Sequence, residues 1–65
     1  MRKYSVSLHV YQGTSGFERM GERRFFTLLG AKKFAKKEYR YYDMADTFVE
    51  IIIRKRDKTL FTYMR

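Results

Sequence analysis

One stretch of helical periodicity, residues 28–42, lies between two pairs of strand-like segments, and in the first of these, residues 3–11, polar and apolar residues alternate. Period-two alternation with β-branched and aromatic residues is typical of half-buried strands. The strands are expected at 3–11, within 17–26 (mainly 22–26), at 47–54 and at 59–65. The order β-β-α-β-β predicts an α+β fold, with one amphipathic helix packed on one face of an antiparallel sheet.

The short length of the chain limits what such a fold can contain. With 65 residues, the sequence predicts a single domain over residues 1–65. A domain of this size buries only about 60% of the surface that its unfolded chain exposes. The chain has no Cys, which excludes disulfides, thiolate metal sites and Cys nucleophiles. Little room is left for a deep catalytic pocket beside the core.

The predicted helix divides into an apolar stripe and a basic face. Thr27 is expected to cap its first turn, because a Thr hydroxyl can accept a hydrogen bond from an unpaired backbone N–H. At 100° per residue the apolar residues fall in one arc, which predicts that they are buried. This stripe consists of Leu28, Ala31, Ala35, Tyr39 and Tyr42. We expect it to pack against Val6, Leu8, Ile51 and Ile53.

The last hairpin is apolar on both sides, although one helix can cover only one side. A register with Lys55 opposite Leu60 assigns to the helix side Val49, Ile51, Ile53, Leu60 and Met64. The uncovered side then carries Phe48, Ile52, Phe61 and Tyr63. A slip of one residue would exchange the two faces.

The uncovered group of Phe48, Ile52, Phe61 and Tyr63 has three interpretations. In the first interpretation, the group is buried against a second copy of the chain. A homodimer is favoured because so small a domain gains stability from the added contact. Alternatively, nucleic-acid bases stack on its rings, or it belongs to an ordinary core. The first interpretation is preferred.

The net charge of +8 points to a polyanionic partner. Lysines and arginines on the helix face away from the stripe are almost free of interleaved acids, whereas solubilising faces mix both signs. The candidate polyanion-binding residues are Lys33, Lys36, Lys37 and Arg40, assisted by Arg54 and Arg56 in the last hairpin. Lys32 belongs to the same basic arc of the helix. The alternative is a merely solvated surface.

No pattern indicates catalysis, a metal or a cofactor. His9 has no second His or Cys to complete a zinc site, and Asp43 and Asp46 fit a role in ending the helix. No nucleophile–base pair, carboxylate dyad or phosphate-binding glycine loop is present. The first predicted strand alternates polar and apolar residues, whereas a signal peptide contains a continuous apolar run. The longest aliphatic run, residues 51–53, is far shorter than a membrane span. We therefore predict a non-enzymatic protein of the cytoplasm, without membrane contact.

Three stretches form a distinctive layout: RFFT at 24–27, GAKKFAKK at 30–37, and a Val-Glu-Ile hairpin that ends in LFTY at 60–63. The layout resembles small basic accessory proteins of bacteriophages and mobile elements. The resemblance implies either nucleic-acid binding or inhibition of a host defence system, and it assigns no functional residue.

The preferred hypothesis is a small binding protein, a homodimer, that engages nucleic acid through its basic helix face. The alternative is a phage-type inhibitor of host defence that binds a host protein or sequesters a nucleotide signal. A third interpretation is a structural subunit whose charge is incidental.

Overall fold

The structure is a computed structural model that describes residues 3–65, and it confirms the α+β fold with the order β-β-α-β-β. The strands are β1 (Tyr4–Gln12), β2 (Phe17–Phe25), β3 (Thr47–Lys55) and β4 (Lys58–Met64), and the helix is α1 (Leu28–Tyr41). The strands form one antiparallel sheet in the order β2-β1-β3-β4. The two central strands, β1 and β3, thus come from different hairpins.

The core lies between the central strands and α1. Its fully buried side chains include Val6, Val10, Ile51 and Ile53, and the helix contributes Ala31 and Ala35. Alanine at these contacts lets the helix backbone approach the sheet closely. Leu28 and Tyr39 are partly buried against this cluster, and Tyr42 is buried within it. The predicted stripe is therefore confirmed, as is its packing on β1 and β3.

Side chains satisfy both ends of α1. The Thr27 hydroxyl accepts a hydrogen bond from the Gly30 N–H at 3.1 Å, which confirms the predicted cap. At the other end, the Arg65 guanidinium donates to the carbonyl oxygens of Tyr39 and Tyr42 at 2.7 and 3.1 Å. It also pairs with the Asp43 carboxylate at 3.0 Å. One side chain that follows β4 thus donates to two carbonyls at the end of the helix, and the Tyr42 carbonyl also accepts from the Met44 N–H at 2.9 Å.

Strand β2 is longer than predicted. It begins at Phe17 and pairs with β1 in an unbroken register, from Gln12 opposite Phe17 to Tyr4 opposite Phe25. The prediction of a strand mainly over 22–26 is wrong in extent. The physical reason is that β2 lies at the sheet edge with nearly all its residues exposed, so no apolar alternation marks its first half.

The predicted register of the last hairpin is also wrong. Ile53 lies opposite Phe61 and Ile51 lies opposite Tyr63, one residue away from the predicted pairing. The turn has only two residues, since Lys55 pairs with Lys58, and a register shift next to Ile53 leaves one extra residue in β4. A one-residue change exchanges the faces of a strand.

Phe61 and Tyr63 therefore lie on the helix side of the sheet, and Met64 lies on the other side. The Lys32 ammonium nitrogen is 4.5 Å from the centroid of the Phe61 ring. The Tyr63 ring packs against Tyr39, with 6.1 Å between centroids. Met64, placed under the helix by the sequence, is exposed. Leu60, assigned to the same face, is only partly buried.

Candidate nucleic-acid interface

Four of the predicted binding residues form one surface, which we call the helix basic face: Lys33, Lys36, Lys37 and Arg40. All four are exposed. At 3.6 residues and about 5.4 Å per turn, they fall within an arc of about 100° and span about 10 Å along the helix axis. The structure thus brings these four predicted residues together.

The helix basic face has no acidic counterpart within residues 3–65. None of its four side chains forms an ion pair there. Glu38, which sequence reasoning did not consider, is the one acidic residue of α1, and its carboxylate is turned toward Arg19 of β2 at 3.9 Å. Its side chain is only 16% exposed. The negative charge of Glu38 is therefore paired with Arg19 on β2. Glu38 does not neutralise the cations of the helix basic face.

Arg19 is held in place by a second contact. Its guanidinium donates a hydrogen bond to the hydroxyl of the buried Tyr42. This hydrogen bond, assisted by Glu38, raises the pKa of Arg19 above its ordinary value. Arg19 is thus a cation placed beside the Glu38 carboxylate. The spacing of the helical residues predicts the helix basic face. The pairing of Glu38 with Arg19 could not be predicted in this way, because it depends on how β2 packs beside the helix.

Arg54 and Arg56, the other two predicted residues, do not join the helix basic face. Arg54 follows the buried Ile53 and so points to the side of the sheet away from α1. In the same row, Ser5 lies opposite both Arg54 and Arg24. Arg56 lies in the turn after β3. Arg24, Arg54 and Arg56 line a depression at one end of the sheet together with Lys3. We call these four residues the tip cluster.

The side of the sheet away from α1, the open face, differs from the prediction. The registers place across it the rows Glu18–Tyr11–Phe48, Met20–His9–Glu50–Met64, Glu22–Ser7–Ile52–Thr62 and Arg24–Ser5–Arg54–Thr59. Of the predicted interface or stacking group, Phe48 and Ile52 lie here, whereas Phe61 and Tyr63 do not. The remaining rings are those of Tyr11 and Phe48, whose centroids are 6.5 Å apart. Three carboxylates on the same face disfavour base stacking, because they repel phosphates.

Three titratable residues outside the basic surfaces, His9, Asp43 and Asp46, lie next to polar or charged groups, although His9 Nε2 makes no hydrogen bond within residues 3–65. His9 Nε2 lies 3.9 Å from a Glu18 carboxylate oxygen. Asp43 pairs with Arg65. The Asp46 side chain accepts a hydrogen bond from the Thr14 hydroxyl, and its carbonyl accepts one from the Gly13 N–H. Residues 3–65 contain no group of three or more His, Cys, Asp or Glu side chains arranged to hold a metal ion.

Comparison of the chain with protein-family models, with curated proteins and with solved structures finds no match. Within residues 3–65, no helix has the length and apolar character needed to cross a membrane.

Proposed function

We propose that this protein is a small non-enzymatic binding protein that engages the phosphate backbone of nucleic acid through the helix basic face. The observation that carries the proposal is a set of four exposed cations on one side of α1, with the acid of that helix turned away toward Arg19. Charged side chains that serve only solubility usually alternate in sign. A cytoplasmic location is part of the proposal.

The contact physics favours binding that tolerates many sequences. Each Lys or Arg placed against a phosphate releases a condensed counterion, and this term does not depend on base identity. The helix basic face spans about 10 Å, which is comparable to the major-groove width of about 12 Å. Cations at its two ends, Lys33 and Arg40, can therefore reach phosphates on both sides of a groove. Three carboxylates lie in the rows of the open face away from the tip cluster, and they orient that part of the face away from the nucleic acid.

The direct test is binding of a fluorescently labelled mixed-sequence DNA duplex, followed by anisotropy at 50 mM salt. We expect a dissociation constant in or below the range of about 10⁻⁶–10⁻⁴ M that is typical of non-specific binding at physiological salt. Polyglutamate serves as the competitor, and it should displace the duplex only weakly. Absence of binding to DNA and to the matching RNA would overturn the proposal. Equal affinity for polyglutamate would instead favour an acidic protein partner, as in the inhibitor hypothesis.

Self-association through the open face remains a prediction, now carried by different residues. Met20, Phe48 and Met64 are 70, 58 and 66% exposed on that face, and Ile52 lies among them. Four strands spaced about 4.8 Å apart make a patch about 20 Å wide. The patch extends over the three rows away from the tip cluster, a length of about 20 Å along the strands, so its area is roughly 400 Å². Two copies would bury roughly 800 Å², which is below the range of about 1,200–2,000 Å² for stable specific interfaces, and they would also bring the three carboxylates of these rows together, so the dimer is expected to be weak.

Analytical ultracentrifugation at increasing protein concentration tests this dimer. We expect a monomer–dimer equilibrium in the parent chain and a monomer after Ile52→Glu, because the new carboxylate would be buried in the contact. Leu29→Glu, which changes an exposed apolar residue on α1, is the matched control and should leave the equilibrium unchanged. A parent chain that stays monomeric at high micromolar concentration would contradict the dimer.

A further inference from the structure

A depression at one end of the sheet gathers four cations that do not belong to the helix basic face. The tip cluster of Lys3, Arg24, Arg54 and Arg56 lines it together with Ser5. Two carboxylates, Glu22 and Asp57, also line it and leave a net positive charge. We infer that this depression is a second anion site, for a compact phosphate or diphosphate group such as the end of a nucleotide or of a 5′-phosphorylated strand.

The sheet register positions three groups of the site in one row. Ser5 on β1 has Arg24 on one side and Arg54 on the other. Directly opposed residues have Cβ atoms about 4.5–5.5 Å apart, so both guanidinium groups can reach a ligand above the Ser5 hydroxyl. The hydroxyl donates one hydrogen bond, and a guanidinium can donate two parallel ones to phosphate oxygens.

The charges of this row are only partly compensated. The Arg24 Nε lies 3.7 Å from a Glu22 carboxylate oxygen, which leaves its two terminal nitrogens for a ligand. Arg54 forms no ion pair within residues 3–65. Cations that converge on one depression repel each other, and a phosphate dianion would relieve that repulsion.

Arg56 lines the depression from the turn between β3 and β4. Its φ of 57° lies in the left-handed region, which favours glycine over residues that carry a Cβ. Its N–H donates to the Lys3 carbonyl oxygen at 3.2 Å, so the turn is tied to the segment before β1. A two-residue hairpin turn requires such a conformation, and here it fixes where the Arg56 side chain leaves the backbone beside the depression.

This site is separate from the proposed backbone contact. Arg54 and Arg24 lie on the side of the sheet away from α1, and the two surfaces share no lining residue. A nucleic acid bound to the helix basic face therefore leaves the tip cluster free for a second phosphate group. A result that excludes binding at one site would not affect the proposal for the other site. The two proposals can therefore be tested separately.

Calorimetric titration with inorganic pyrophosphate tests the site. Arg54→Gln/Arg56→Gln is expected to weaken pyrophosphate binding at least tenfold. The matched control, Lys36→Gln/Lys37→Gln, removes the same charge from the helix basic face and should change it less than twofold. For a long mixed-sequence duplex the control variant should show the larger loss. The inference would be overturned if both variants weakened pyrophosphate binding equally, or if the parent chain bound no pyrophosphate at millimolar concentration.

Arg56→Gly separates ligand binding from folding. Glycine relieves the left-handed conformation, so the melting temperature should rise by several degrees in a domain of this size. Pyrophosphate affinity should nevertheless fall, because one ligand is lost. A more stable variant with full pyrophosphate affinity would exclude Arg56 from the site.

Two further probes identify the source of the phosphate. If the site binds strand ends, a 5′-phosphate should raise the affinity for a short oligonucleotide severalfold over the 5′-hydroxyl form, and Arg54→Gln/Arg56→Gln should abolish that increment. If the site binds a free nucleotide, ADP should displace pyrophosphate while the 5′-phosphate adds nothing. A result in which neither ADP nor a 5′-phosphate competes with pyrophosphate would contradict both sources.

Discussion

Changing Lys33, Lys36, Lys37 and Arg40 together to Gln is expected to lower the affinity for a mixed-sequence duplex by at least a hundredfold at 50 mM salt. The variant removes four positive charges and lowers the net charge from +8 to +4. Because all four side chains are exposed and Gln has a similar helix propensity to Lys and Arg, the fold should be retained. Circular dichroism checks the fold, and anisotropy measures the binding.

A pair of double variants shows whether position or only net charge matters. Lys36→Gln/Lys37→Gln and Lys55→Gln/Lys58→Gln remove the same charge, but the second pair lies at the hairpin that joins β3 to β4. The helix pair should weaken duplex binding by about tenfold or more, and the hairpin pair by a few-fold at most. Equal losses would mean that the helix basic face is only solvated and that binding follows net charge.

The largest expected loss of stability comes from Ile51→Ala. Ile51 is fully buried at the centre of β3, with Leu8 opposite on β1 and Tyr63 opposite on β4. Removing three carbons from such a site costs about 2–5 kcal/mol. A core in a domain of this size supplies about 3–5 kcal/mol in total. We therefore expect most of the cooperative thermal transition to disappear.

Ile52→Ala is the matched control for that variant, because it makes the same chemical change one residue away on the open face. Its side chain is only partly buried, so we expect a loss below about 1 kcal/mol and a preserved transition. Melting curves at low protein concentration compare the two. Equal effects, or an unshifted curve for Ile51→Ala, would contradict the assignment of the faces.

The sequence predicts the faces of β1, α1 and β3 correctly for a physical reason. In β1 the apolar residues alternate with polar ones, and in α1 they recur at helical spacing, so each element has one side that must be buried. Strand β3 inherits its face from the pairing with β1. The helix basic face follows from the same helical spacing.

The same reasoning fails for β4, where both sides are apolar and the pattern does not choose between them. Two local features then decide the register. One is a two-residue turn with Arg56 in a left-handed conformation, which the usual Gly or Asn signal does not mark. The other is the extra residue beside Ile53. The tip cluster was missed for a related reason, since Arg24 joins Arg54 only through two successive strand registers.

The salt dependence of duplex binding by the parent chain tests the central proposal most directly. Four phosphate contacts give a slope of about −3.6 for log affinity against log salt on a B-form duplex. Affinity should therefore fall by about a hundredfold between 50 and 200 mM salt, and the slope should flatten by about 3 or more in the fourfold Gln variant. An affinity that does not change with salt, or the same slope in both proteins, would contradict a phosphate contact through the helix basic face.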